Sequence, residues 1–213
     1  MLNRILRKTT QPGGPKEGAA PAAGAPDAAE MFIFEGVRQG RQKSFEELYR
    51  LYHPRLHRFL MHMIRQGDAV VEEVLNDTML VVWRRADAFD GRSKLSTWIF
   101  GIAYRKALKA LSRQDLPVDD TDLPEAEDPS PGPESVMGFL QQRRRLQEAM
   151  SELSVDHRAV VELCYFQDMS HAEIAEIVGC PPETVKTRMF YARRRLRALL
   201  EDLGEREAPG ASS

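Results

Sequence analysis

Apolar residues recur at spacings of three and four over most of this chain, the period of a helix buried along one stripe. Phe45, Leu48, Tyr52, Leu56, Phe59, Leu60 and Met63 form one such series. Val71, Val74, Leu75, Thr78, Met79 and Val82 form a second, and Leu95, Trp98, Ile99, Ile102 and Ala103 a third. Gly67-Asp68 and Asp90-Gly91 punctuate them. The pattern predicts helix throughout residues 30–111. After a break the period returns and predicts helices near 136–151, 155–166, 171–178 and 182–202. No stretch alternates convincingly with the two-residue period of a strand, and no internal repeat is visible. The fold class is therefore all-α, with two small helical domains.

The second domain carries the sharpest local signal, Ser170 to Leu196. Ser170 with Glu173 fits a capping box, Gly179 fits a left-handed helix stop, and Pro182 fits the first turn of the next helix. A short helix, a tight turn and a basic second helix make the layout of a DNA-binding helix-turn-helix. On the second helix Val185, Met189, Ala192, Leu196 and Leu199 line one stripe. The opposite face carries Thr184, Thr187, Phe190, Tyr191 and Arg194, with Lys186 and Arg197 at its edges. Aromatic and methyl groups on such a face suit thymine methyls. Lys186, Arg188, Arg193 and Arg195 are within reach of phosphates. The plainer alternative is a helical hairpin with a charged outer face.

The formal net charge is −2, which is small for a DNA binder until it is resolved along the chain. Residues 41–113 hold 14 Lys/Arg against 8 Asp/Glu, and residues 138–200 hold 10 against 8. Residues 114–137 hold 8 acids and no base. Two basic bodies are thus joined by an acidic strap, and the local field governs partners. The predicted organisation is a disordered Gly/Ala/Pro-rich tail over 1–29 and a first domain over 30–112. A flexible, acidic, Pro-rich linker over 113–134, a second domain over 135–203 and a disordered tail over 204–213 complete it. No apolar run approaches the roughly 20 residues of a membrane span, so no membrane insertion is expected. The N-terminus lacks the sustained apolar stretch of a secretory signal. Cys164 and Cys180 read as small buried groups in a reducing cytosol. His53, His57 and His62 share a helix, but no ligand-spaced carboxylate or cysteine joins them in sequence, so no metal and no cofactor is expected.

The helix around 95–111 is a second candidate surface. Trp98, Arg105 and Lys109 lie close to one face, with Tyr104, Lys106 and Arg113 nearby. Rings interleaved with cations suit unpaired DNA; equally, Trp98 could be core and the cations merely solvated.

In these residues the chain resembles a family. Glu72–Trp83 followed by Phe89–Trp98 is similar to region 2 of extracytoplasmic-function (ECF) RNA polymerase sigma factors of the sigma-70 family. The helix-turn-helix is similar to their region 4, and the order of region 2, acidic linker and region 4 also matches. The resemblance spans about residues 42–203. It implies a cytoplasmic promoter-specificity subunit that is not an enzyme. Region 2 would dock on the clamp helices of the largest polymerase subunit through Glu73, Asn76, Asp77, Trp83 and Arg84. It would melt the −10 element and hold a flipped base with the loop Ala86–Ser93, Phe89, Trp98, Phe100, Tyr104, Arg105, Lys106 and Lys109. Region 4 would meet the polymerase flap and read the −35 element through Thr184, Lys186, Thr187, Arg188, Phe190, Tyr191, Arg193 and Arg194. The linker would thread toward the RNA-exit channel, and an anti-sigma factor is the implied regulator.

Departures from the family pattern bear on specificity. Many relatives have Asp-Leu-Val-Gln-Glu-Thr-Phe where this chain has Glu73–Met79, which keeps the charge and apolar pattern. Arg105 stands where some members carry Asn at the base-flipping pocket, Gly101 where Arg is frequent, and Tyr191 at a frequently basic position. A free-standing helix-turn-helix regulator is the chief alternative. It would need a dimer interface and leaves 71–109 unexplained. A cysteine enzyme using Cys164 with His157 or His171 lacks a Gly-rich loop or an oxyanion donor.

Overall fold

The computed structural model describes residues 25–64, 67–113 and 144–206. All regular structure among them is helical. The first domain comprises α1 (Ala25–Arg38), α2 (Gln42–Ile64), α3 (Asp68–Arg84), a short 3-10 turn (Ala86–Ala88) and α4 (Leu95–Ser112). The second comprises α5 (144–151), α6 (Val155–Tyr165), α7 (His171–Val178) and α8 (Pro182–Arg206).

The three predicted stripes become the inner faces of α2, α3 and α4. Leu48, Tyr52, Leu56, Phe59, Leu60 and Met63 are wholly buried, with Val71, Leu75, Val82 and Ile99 beside them. Each such side chain contributes about 1.5–3 kcal/mol by leaving water. Helix α1 closes this bundle with Phe34 and Val37. It lies close to α2 because Gly36 has no side chain: a Cβ there would stand 2.1 Å from Ser44 Oγ. Tyr52 donates its hydroxyl to Glu30 Oε2 at 3.1 Å, which ties α1 to the middle of α2. Pro54 lies inside α2 on its exposed side, and its missing N–H leaves the helix one backbone hydrogen bond short there.

The second domain is assembled around Arg158, which is only 4% exposed. Its guanidinium donates to the carbonyls of Met150 (3.1 Å), Ser151 (3.0 Å) and Leu153 (2.8 Å) just where α5 ends. The last carbonyls of a helix have no partner within it, and a planar five-donor fork is suited to collect them. Ser154 caps α6 by accepting from the His157 N–H at 3.4 Å. Helices α6, α7 and α8 then pack mutually.

Two boundaries differ from the sequence-based expectation. Helix α1 begins at Ala25, inside the segment expected to be tail, because the anchored residues Phe34 and Val37 support an Ala-rich helix propagating backwards. Helix α8 runs on to Arg206, past the boundary at 203. The acidic linker from residue 114, and the first half of the helix predicted over 136–151, lie outside the described residues. The two domains touch: α6 lies on α2 and α7 on α4.

Candidate nucleic-acid interface

The helix-turn-helix is built from the residues that announced it. Glu173 N–H donates to Ser170 Oγ (3.3 Å) and Ser170 N–H donates to Glu173 Oε2 (2.7 Å), so both halves of the capping box are present. Burial pushes the Glu173 carboxyl up. The Ser170 hydrogen bonds and the Lys94 ammonium at 2.9 Å outweigh it and hold the group below its ordinary value. Gly179 stops α7 at φ 68°, and its N–H and that of Cys180 both reach Ala175 O, at 2.9 and 3.2 Å. The chain then enters α8 through Pro181-Pro182, with the N–H of Thr184 on Pro181 O at 2.9 Å.

Val185, Met189, Ala192 and Leu196 are buried and Leu199 half-buried, so the predicted stripe is the inner face of α8. The opposite side is open. Phe190 is 57% exposed and Tyr191 52%, with their rings edge-to-face at 5.5 Å. Lys186, Thr187 and Arg194 are exposed and Thr184 half-buried beside them. Lys186 pairs with Glu183 at 2.7 Å, and Thr187 donates to Glu183 O at 3.0 Å. Two of the basic residues are engaged within the domain. Arg188 meets Asp156 Oδ2 at 2.7 Å, and Arg193 Nε donates to Met189 O at 3.3 Å.

In the first domain the aromatic residues divide. Phe89 is buried against Phe34 (ring centroids 5.4 Å apart) and half-buried Trp98 (5.5 Å). Phe100 is wholly buried against Phe59 at 5.4 Å, with the Arg55 guanidinium 5.5 Å from its ring. Both phenyl groups are core, held by apolar burial, and they support the surface from beneath rather than lying on it. Tyr104 is also buried, its hydroxyl donating to Asp156 Oδ1 at 3.4 Å; burial and that carboxylate push it up to about 12. Arg105 and Lys109 are exposed. The Arg105 guanidinium lies over Gly101, 3.4 Å from where a side chain would begin. Lys106 pairs with Asp77 at 2.8 Å.

Pattern comparison identifies both halves. The description "Sigma-70 region 2" matches residues 48–116 and "Sigma-70, region 4" matches residues 143–196. The ECF RNA polymerase sigma factor RpoE of Cereibacter sphaeroides is 33% identical over 169 residues, 78% of this chain and 91% of that protein. The chain is an ECF RNA polymerase sigma factor. The sigma factor CarQ of Myxococcus xanthus is 31% identical over 179 residues, 79% of this chain and 96% of its own. Two solved structures share the fold. CnrH in complex with the cytosolic domain of CnrY has a TM-score of 0.60 at 21% identity, covering 82% of this chain and 98% of CnrH. RpoE of Bartonella quintana in complex with the anti-sigma factor NepR has 0.62 at 23%, covering 75% and 98%.

In this sigma factor the outer face of α3 presents Glu73, Asn76, Asp77 and Arg84 to solvent. Asn76 Oδ1 accepts from the Tyr49 hydroxyl at 2.8 Å. Trp83 is half-buried against Phe45, 5.0 Å between centroids. Leu80 is 41% exposed on the same face and was not singled out from the sequence, although its spacing from Glu73, Asn76, Asp77 and Arg84 placed it there. A cavity of about 420 Å³ lined by Met31, Phe89, Arg92, Ser93 and Lys94 among others lies beside the loop after α3. Glu30 and Met31, also on its wall, come from a segment remote in sequence, and no local signal marked them. The histidines lack a carboxylate neighbour only along the sequence. Across the α2–α3 contact His53 meets Glu72 Oε1 at 3.0 Å and His57 meets Asp68 Oδ1 at 2.7 Å. No described helix is long and apolar enough to cross a membrane.

Proposed function

We propose that α8 reads a −35 element in the major groove through the outward face bearing Thr184, Lys186, Thr187, Phe190, Tyr191 and Arg194. The observation that carries this is the exposed Phe190-Tyr191 pair, framed by cations, behind a fully formed capping box and a left-handed Gly179. Large apolar groups on a soluble helix need a partner, and base edges with thymine methyls are one. Arg188 and Arg193 are within reach of phosphates once their internal partners release them. The −10 element, once melted, lies along α4 and the loop before it. Trp98, Arg105, Lys106 and Lys109 supply the ring and the cations, and the cavity between Met31, Phe89 and Lys94 receives an unstacked base.

The outward face of α3, with Glu73, Asn76, Asp77, Leu80, Trp83 and Arg84, docks on the clamp helices of the largest polymerase subunit, and region 4 meets the flap. The acidic linker threads toward the RNA-exit channel. Within this reading the sigma factor makes and breaks no bond. It works in the cytoplasm beside the polymerase and is controlled by an anti-sigma factor, as the complexes of CnrH and Bartonella RpoE suggest. Each half offers few phosphate contacts alone; mounting both on polymerase raises their joint affinity through effective concentration. A free-standing regulator is not favoured, because the match extends over region 2 as well as the helix-turn-helix.

The test is a titration of the purified chain with bacterial core RNA polymerase, followed by run-off transcription on a genomic fragment library. Tight binding with new start sites sharing upstream sequences is the expected result. Absence of core binding together with tight binding to duplex DNA alone would return the assignment to a free-standing regulator.

A further inference from the structure

Gly101 stands in the middle of α4, where glycine is among the poorest helix formers. Its backbone is ordinary right-handed helix, so no left-handed turn calls for it. Core packing does not call for it either. The three atoms nearest to where a Cβ would stand are Nη1, Nη2 and Cζ of Arg105, at 3.4, 3.6 and 3.9 Å. The exposed Arg105 side chain therefore folds back one turn toward the start of the helix and lays its guanidinium on bare backbone.

Neighbouring cations are engaged. Lys106 pairs with Asp77 at 2.8 Å and Lys94 with Glu173 at 2.9 Å. Arg105 has no carboxylate or carbonyl partner among the described residues. One turn before Gly101, on the same face, stands Trp98. It is half-buried and fixed by Phe34 and Phe89, at 5.9 and 5.5 Å between ring centroids. A fixed ring, a bare turn and an open fork of N–H donors thus follow one another along α4.

We propose that Gly101 and Arg105 form a base-selecting slot, which takes a base with two adjacent acceptors: guanine, or cytosine when unpaired. The slot rests on the placement of the melted −10 strand along α4 proposed above. A base stacked on Trp98 has its edge over Gly101, where the absent side chain lets it approach the backbone. The guanidinium lying there presents parallel N–H donors in one plane. Guanine sets O6 beside N7 and unpaired cytosine sets O2 beside N3, so either receives both donors. Adenine and thymine have no two adjacent acceptors and leave a donor of the fork unfilled. An arginine serving phosphates alone needs no bare turn beneath it. Arg105 is therefore the specificity-determining residue of this face, and Gly101 is the residue that positions it. Lys109, one turn further on and equally exposed, has no planar fork and serves the phosphates.

The experiment selects random-sequence single-stranded DNA oligonucleotides on holoenzyme reconstituted from core polymerase and the full chain, and sequences the bound pool. Core affinity is measured in parallel, so that every variant is compared as holoenzyme. The wild-type holoenzyme enriches guanine or cytosine about tenfold at one position of the selected motif. Arg105→Lys keeps the charge and loses the fork. Enrichment at that position disappears, while the other positions and the salt dependence of binding stay as in the parent. Gly101→Leu displaces the guanidinium and loses the same position with Arg105 still present. Gly101→Ala, whose methyl meets Arg105 at ordinary contact distance, keeps it. If Gly101→Leu fails to fold, Arg105→Lys decides alone, because its position is exposed. Enrichment untouched by Arg105→Lys, an equal loss at every position, or adenine or thymine at the position it erases overturns the slot. A folded Gly101→Leu chain that selects as the parent does overturns the positioning role of Gly101. A wild-type holoenzyme that binds single strands with no base preference at all removes the reading of the −10 strand along α4 and the slot with it. A preference that persists without Arg105 removes the slot alone.

Discussion

Tyr191 is half in solvent with its ring against Phe190, and among the described residues no hydrogen bond holds it in place on α8. Tyr191→Ala should therefore leave folding and core binding unchanged while lowering promoter-specific transcription about tenfold, since a good base contact is worth about 1–3 kcal/mol. Run-off transcription beside a core titration checks this; equal loss on promoters with scrambled −35 sequence would count against a base-reading role. Arg188 differs, because only 25% of its side chain is exposed and it holds Asp156. Glu173 carries a pH prediction. Its folded value lies below its unfolded one, so its contribution to stability is fully present above the unfolded value, near 4.5, and fades as pH falls through the folded value. Thermal unfolding of Glu173→Gln should show its largest deficit near neutral pH, and that deficit should shrink as the pH falls through the folded value. A deficit constant across that range would show that the ionised carboxylate is not what stabilises the cap.

The reading helix depends on how the element before it ends. Gly179 at φ 68° aims α8 across α7, and nothing stands within 4 Å of the place a Cβ would occupy. Gly179→Ala therefore meets backbone strain and no clash, and should cost about 1–2 kcal/mol. Denaturant unfolding would check this, and a loss well above that range would mean that the turn is also sterically closed. On α3 the outward residues are presented as a strip, but Asp77 is shared, with Lys106 at 2.8 Å. Asp77→Ala should weaken core binding several-fold with little change in thermal stability, because an exposed pair contributes only about 0–1 kcal/mol. Unchanged core affinity would remove Asp77 from the docking surface.

Across the whole molecule, periodicity alone located the cores of α2, α3, α4 and α8. Burial requires an apolar residue every third or fourth position, so Leu48, Leu75, Ile99 and Val185 are marked by spacing alone. Capping chemistry is equally local, which is why Ser170, Glu173 and Gly179 are legible as a turn in the amino-acid order itself. Aromatic residues of the first domain are not legible in the same way. Phe89 and Phe100 were expected on the −10 surface, yet both face the core, whereas Phe190 faces solvent where its spacing put it. Which side of an apolar helix is outward depends on what packs against it. The cavity wall at Met31, the cross-helix pairs of His53 and His57, and the burial of Glu162 against His62 join residues far apart along the chain. The amino-acid order by itself determined the helices, their inner stripes, the helix-turn-helix and the family, because each rests on contacts between near neighbours. Only the tertiary structure decided that Phe89, Phe100 and Tyr104 are core, which charges are paired across helices and that α7 lies on α4, because those follow from long-range packing that brings distant side chains within a few ångströms.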